Sequence, residues 1–159
     1  MPASSPTRTD LDSVTDAVLS ASRVLVSVAA RSLAEAEEEV SLAQYRVLVV
    51  LASRGPQRLA DLAEALAVQP STATRVSDRL VRKRLVRRQR ASADRREVRL
   101  TLTGSGRQLV DRVTRRRRAE IARLIAALDP DERHAVVAAL RALTDAAGEV
   151  PDPDWALGW

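Results

Sequence analysis

The residues in this chain best placed to do chemistry are arginines. Between Arg75 and Arg99 stand eleven basic residues (Arg75, Arg79, Arg82, Lys83, Arg84, Arg87, Arg88, Arg90, Arg95, Arg96 and Arg99) against three acids, Asp78, Asp94 and Glu97. The chain as a whole has a net charge of +5, so this segment carries +8 and the remainder −3. A basic stripe on an otherwise mildly acidic chain suits a polyanion, because phosphate neutralisation and counterion release supply most non-specific affinity. A solvated charged surface is the alternative that charge alone leaves open. The aromatic residues are Tyr45, Trp155 and Trp159, none of them in the basic stretch. Binders of single-stranded nucleic acid stack bases on such rings, so double-stranded DNA is the expected partner.

Other chemistries find little to work with. The chain has no cysteine, and His134 is its single histidine. No disulfide, thiol switch or thiolate metal site is therefore expected, and His134, beside Asp131 and Glu132, reads as a surface residue. No glycine-rich phosphate loop and no converging nucleophile and base stand out, so neither an enzyme nor a cofactor is expected. A length of 159 residues allows one respectable core. No apolar run approaching the roughly 18 residues of a membrane span is read in the sequence, and Met1 to Asp10 lack a basic start followed by an apolar stretch. A soluble, cytoplasmic protein is the expectation.

The elements that must position these arginines can be read from periodicity. Leu11, Val14, Val18, Ala21, Leu25, Val28 and Ser32 recur every three or four residues, the pattern of an amphipathic helix that the run Glu35 to Glu39 closes. Ser41 with Gln44 is a capping-box pattern, predicting a second helix with Leu42, Tyr45, Leu48 and Leu51 inward and its end at Gly55-Pro56. A short helix carries Leu59, Leu62, Ala63 and Leu66. After a break at Ala67-Val68-Gln69, Pro70 opens a third helix to about Arg84 that buries Ala73, Val76, Ser77 and Leu80. Two short helices joined by such a turn make a helix-turn-helix.

The period then changes. In Glu97 to Leu102 apolar residues alternate with polar ones, the repeat of a half-buried strand, with Val86 to Arg90 as its antiparallel partner and Ala91 to Arg96 as the loop. A hairpin directly after a helix-turn-helix is a wing. Thr103 can cap a long helix whose inner stripe is Leu109, Val113, Arg116 or Arg117, Ile121, Leu124, Ile125 and Leu128, broken at Asp129-Pro130. A last helix, Asp131 to Ala147, carries Val136, Val137, Leu140 and Leu143. The expected fold is mainly α with a small β-hairpin wing. Its parts are a disordered N-terminus (1–10), a winged helix-turn-helix DNA-binding domain (41–102), a helical dimerisation region (11–40 and 103–147) and a C-terminal tail (148–159).

Over roughly residues 11–147 the chain resembles the MarR family of winged helix-turn-helix transcription regulators. The resemblance rests on Gln44-Tyr45-Arg46-Val47-Leu48 with Gly55-Pro56 and Leu62-Ala63, on Ser71 to Leu80, and on Asp94-Arg95-Arg96 followed by Leu100-Thr101-Leu102-Thr103 and Gly106. The first helix and the last two carry more apolar surface than one small winged domain can cover, so they are expected to pair with the same helices of a second copy. The result is a homodimer with two-fold symmetry and recognition helices about 34 to 36 Å apart on a near-palindromic operator. The resemblance implies a repressor relieved by a small anionic or phenolic effector. An architectural DNA binder with little sequence preference and no effector is the alternative. Three residues depart from the family pattern: Arg84 stands where glycine is usual, and Arg58 and Gln69 replace capping hydroxyls.

With Ala73, Val76 and Leu80 inward, the open face of the recognition helix carries Ser71, Thr72, Thr74, Arg75, Asp78, Arg79 and Arg82. Short hydroxyls at a helix N-terminus can approach phosphate. Arg75 has the fork for guanine O6 and N7, with a phosphate contact as the other option. The resemblance implies that Arg96, with Arg95 nearby, enters the minor groove. Asp94 then orients an arginine, or simply supports the bend. It also implies that Tyr45 and Arg46 lie near an effector pocket. One of Arg116 and Arg117 falls on an apolar stripe and could meet an effector carboxylate; a solvated face with Arg116 to Glu120 pairing is the alternative. Trp155 and Trp159 belong either to a loose tail or to a segment docked in a dimer groove.

Overall fold

The computed structural model describes residues 8–34, 36, 40–90 and 98–148. In chain order these form α1 (Arg8–Ala34), α2 (Leu42–Arg54), β1 (Gln57–Arg58), α3 (Leu59–Ala65), α4 (Pro70–Arg82), β2 (Val86–Arg90), β3 (Val98–Leu102), α5 (Gly104–Ala126) and α6 (Pro130–Ala146). The expected element order is present, with one addition. Gln57–Arg58, directly after the Gly55-Pro56 turn, pairs antiparallel with β3, so the wing is the edge of a three-stranded sheet in the order β1-β3-β2. Two residues are too short a run to show an alternating pattern, which is why periodicity passes over this strand.

Caps explain where the helices start. At α2 the Ser41 N–H donates to Gln44 Oε1 at 2.9 Å and the Gln44 N–H to Ser41 Oγ at 3.3 Å, the reciprocal pair expected from the sequence. Asp129 and Glu132 make the same arrangement at the start of α6, at 2.8 and 2.9 Å. Thr103 caps α5, its Oγ1 accepting from the Gly106 N–H at 3.1 Å. That hydroxyl also donates to the Arg84 carbonyl at 2.7 Å, fastening the start of α5 to the start of β2. Gly106 completes the junction: a Cβ there would lie 2.1 Å from the Leu85 carbonyl oxygen, so only glycine fits.

The core gathers Leu48, Leu51, Leu62, Leu80, Val86, Leu100, Leu102, Leu109 and Val113 from α2, α3, α4, the sheet and the first half of α5. It ends there, and several expected inner positions lie outside it. On α1 only the last turns are buried, through Val28, Ser32 and Leu33, while Leu11 and Val14 are each 60% exposed. Leu42, Val98, Leu124 and Ile125 are exposed too, and α6 has no buried residue. The apolar stripes are present, but among the described residues they have nothing to pack against. α1 is moreover long and apolar enough, by length and composition, to cross a membrane. This departs from the expectation that no apolar run reaches such a length, because Arg23 and Arg31 interrupt the segment without lowering its mean hydropathy far.

Candidate nucleic-acid interface

Ala73, Ser77 and Leu80, four and three residues apart, are fully buried and fix which side of α4 faces the core. Ser71, Arg75, Arg79 and Arg82 are exposed on the other side, and Thr72, Thr74 and Asp78 are half-buried along its margins. The α4 residues expected to face outward therefore share one surface. The Thr74 hydroxyl, however, donates back to the Pro70 carbonyl at 2.8 Å, so its proton is turned into the helix. At the helix start Gln69 makes no side-chain cap, and Pro70 has no N–H to satisfy. The Thr72 and Ala73 N–H groups both donate to the Gln69 carbonyl, at 2.9 and 3.1 Å, so what this end offers beside the Ser71 and Thr72 side chains is chiefly the positive pole of the helix dipole.

The other two departures from the family pattern also have structural answers. Arg58 does not cap α3; its Nε and Nη2 each donate at 2.8 Å to the two carboxylate oxygens of Asp61. That hydrogen bond, helped by the Arg58 and Arg99 charges and opposed by desolvation, holds the Asp61 carboxyl below its ordinary value. Arg84 adopts φ 59°, the left-handed conformation that glycine takes without strain. Its N–H donates to the Val81 carbonyl at 2.9 Å, and the Leu85 N–H reaches the Leu80 carbonyl at 3.0 Å, so α4 closes with a complete left-handed cap despite the side chain.

Beyond this cap the sheet carries the basic stripe onward. Val86 opposite Leu102 is the buried end of β2, and Arg88 and Arg90 follow on the same face, opposite Leu100 and Val98. From residue 75 to residue 90 there are eight basic side chains, all exposed, and one acid, Asp78. Arg88 Nη2 donates to Asp78 Oδ1, tying the wing strand to the recognition helix. Sequence spacing could not find this pair, since the partners are ten residues apart on different elements. Asp94, Arg95 and Arg96 lie outside the described residues.

A second feature lies where α1, α2 and α5 meet. Leu25 and Val26 of α1, Tyr45, Arg46 and Val49 of α2, and Arg117 of α5 line a cleft of about 240 Å³. The Tyr45 hydroxyl lies 3.2 Å from Thr114 Oγ1. Arg117 Nε is buried without a hydrogen-bond partner among the described residues. Arg117, not Arg116, is thus the arginine of the 115–118 run that reaches the cleft, and Glu120 pairs with Arg31 of α1 at 2.9 Å.

The profile describing the MarR family matches residues 40–98, from the start of α2 to the start of β3. The chain belongs to the MarR family. It is a DNA-binding transcription regulator with a winged-helix fold, and its matched segment contains α3, α4 and β2 in full. This MarR-family chain is similar to RV1404 from Mycobacterium tuberculosis, whose crystal structure superposes with a TM-score of 0.84 at 45% identity, covering 94% of this chain and 100% of that one. It is 34% identical over 96 residues to the HTH-type transcriptional repressor MdtR of Bacillus subtilis, covering 60% of this chain and 62% of that one. The structure of Bordetella bronchiseptica BpsR, a protein whose DNA binding is regulated by 6-hydroxynicotinic acid, matches at 29% identity with a TM-score of 0.63, covering 83% of this chain and 98% of that one.

Proposed function

We propose that this MarR-family regulator acts in the cytoplasm as a homodimeric repressor that reads a near-palindromic operator in duplex DNA and releases it when a small effector binds. The observation that carries the DNA part is the open face of α4, with Ser71, Arg75, Arg79 and Arg82 exposed on the side away from the buried Ala73, Ser77 and Leu80. In this reading Arg75 enters the major groove and takes a guanine edge, while Ser71, Thr72, Arg79 and Arg82 hold phosphates, joined by Thr74 when its hydroxyl turns from the Pro70 carbonyl to the DNA. Arg96, with Arg95 beside it and Asp94 orienting them, enters the minor groove. The repressor reading follows MdtR.

Residues 11–40 and 103–147 form the dimerisation region. Its support is the set of apolar side chains left exposed on α1, distal α5 and α6. The effector reading rests on the cleft of Tyr45, Arg46 and Arg117, where the orphaned Arg117 Nε offers a donor to a carboxylate. BpsR, regulated by a hydroxylated aromatic acid, supports the ligand class.

The experiment is a binding titration at physiological salt against operator duplexes selected from a random pool. Arg75→Ala should weaken binding about tenfold or more, the worth of one bidentate base contact, and Arg96→Ala should weaken it most on sites with a narrow minor groove. If neither substitution changes binding, the proposed surface is wrong. The ratio of selected to random DNA should be at least ~10³ for a regulator; a ratio near unity would favour an architectural protein. In the same assay, added hydroxybenzoates should release DNA from the wild type and not from Arg117→Gln.

A further inference from the structure

We propose that Asp78 is a positioning residue that restrains non-specific DNA binding, by holding Arg88 in an ion pair and keeping its charge out of the phosphate-neutralising set. The inference rests on the reading of α4 as the DNA face. Asp78 is the single acid among the eight exposed basic residues from 75 to 90, so its presence weakens this surface for any polyanion. Arg75 and Arg82, three residues before and four after it, stand one helical turn away on either side, as spacing would pair them. The carboxylate instead engages Arg88 from β2.

Arg88 is held from two sides. It follows Val86 on the core-facing side of β2, and with Leu59, Val98 and Leu100 it lines an apolar cleft of about 320 Å³ at the end of the sheet. Its stem therefore lies against apolar surface while its head is drawn to α4. With side-chain exposures of 51% for Arg88 and 37% for Asp78, the pair is a surface one, and it adds little to folding stability. Its effect on a polyanion is larger, since one cation and one anion are cancelled in each copy at the point where helix meets wing.

The inference makes the two single substitutions act in opposite directions. In Asp78→Asn the Arg88 guanidinium is released to a phosphate; in Arg88→Gln a bare carboxylate remains on the DNA face. The measurement is the affinity of the full chain for a random-sequence duplex of about 30 base pairs, followed as a function of salt. Asp78→Asn should bind about tenfold more tightly near 0.1 M salt and steepen the log–log slope by between about one and two for a two-copy complex. Arg88→Gln should bind more weakly with a shallower slope, the double variant should return close to wild type, and Asp78→Glu should keep the wild-type slope. If both single variants weaken binding, or if Asp78→Asn leaves the slope unchanged, the inference is overturned. Arg82→Ala, at an arginine assigned to phosphate, separates the two layers: a slope lowered by Arg82→Ala but indifferent to Asp78→Asn sinks this inference alone, and indifference to both sinks the DNA face beneath it.

Discussion

At the scale of single residues, the site depends on a junction whose residues are not among the proposed DNA contacts. Gly106 lets α5 lie against the backbone of Leu85, and Thr103 binds the Arg84 carbonyl from the same turn. A methyl group at 106 would overlap the Leu85 oxygen, which already accepts from the Thr103 N–H at 3.1 Å and cannot retreat freely. Alanine improves helix propensity over glycine by about 1 kcal/mol, while forcing an atom into a packed junction costs about 3 kcal/mol. Overpacking wins. Gly106→Ala should lower the unfolding free energy by about 2 kcal/mol, and equal stability in a urea titration would refute the packing argument. Asp61 illustrates a smaller effect with a definite sign. Its folded-state pKa is lowered, so the Arg58 grip stabilises the fold above the ordinary carboxylate value and is lost as pH falls through the lowered one.

At the scale of elements, α4 is bracketed by two left-handed residues that are not glycine. Arg84 follows it, and Ala67, with φ 52°, precedes it in the turn from α3. The Ala67 N–H donates to Glu64 and the Val68 N–H to Ala63, each at 3.0 Å, so this cap has the same hydrogen-bond pattern as the one at Arg84. A side chain in that conformation costs about 1 to 2 kcal/mol, and glycine's freedom in the unfolded chain returns about 0.5 to 1 kcal/mol of that difference. Ala67→Gly should therefore stabilise by roughly 0.5 to 1 kcal/mol, raising the melting temperature by about 2 °C. A lowered melting temperature would count against it.

The same two caps show what could be read in advance. A glycine absent from an expected place made Arg84 conspicuous, whereas Ala67 gives no sign of its φ. The recognition helix was legible because Ala73, Ser77 and Leu80 set a clear inner face. The stripe on α5 was legible as a period, but the point at which it leaves the chain's own core was not: Val113 is buried in that core and Leu124 is exposed. The Asp78–Arg88 and Arg31–Glu120 pairs depend on how elements dock, which spacing along one helix does not encode.

At the scale of the whole molecule, about two-thirds of α1 and all of α6 lack a covering surface among the described residues. Exposed apolar area of this extent destabilises a lone subunit and favours association. If a second copy covers these faces, folding and association become one equilibrium, and the melting temperature should rise with protein concentration. A melting temperature constant over a hundredfold dilution series, with the mass of a single 17.3 kDa chain in sedimentation, would exclude the dimer.

The bare face of α6 also has a genetic consequence. In the proposed dimer the surfaces that pair the copies are separate from α4, so a chain with a ruined reading head would still assemble with an intact one. Such an allele would poison the wild-type product and behave as dominant. An allele that disrupts α6 would leave its partner untouched and behave as recessive.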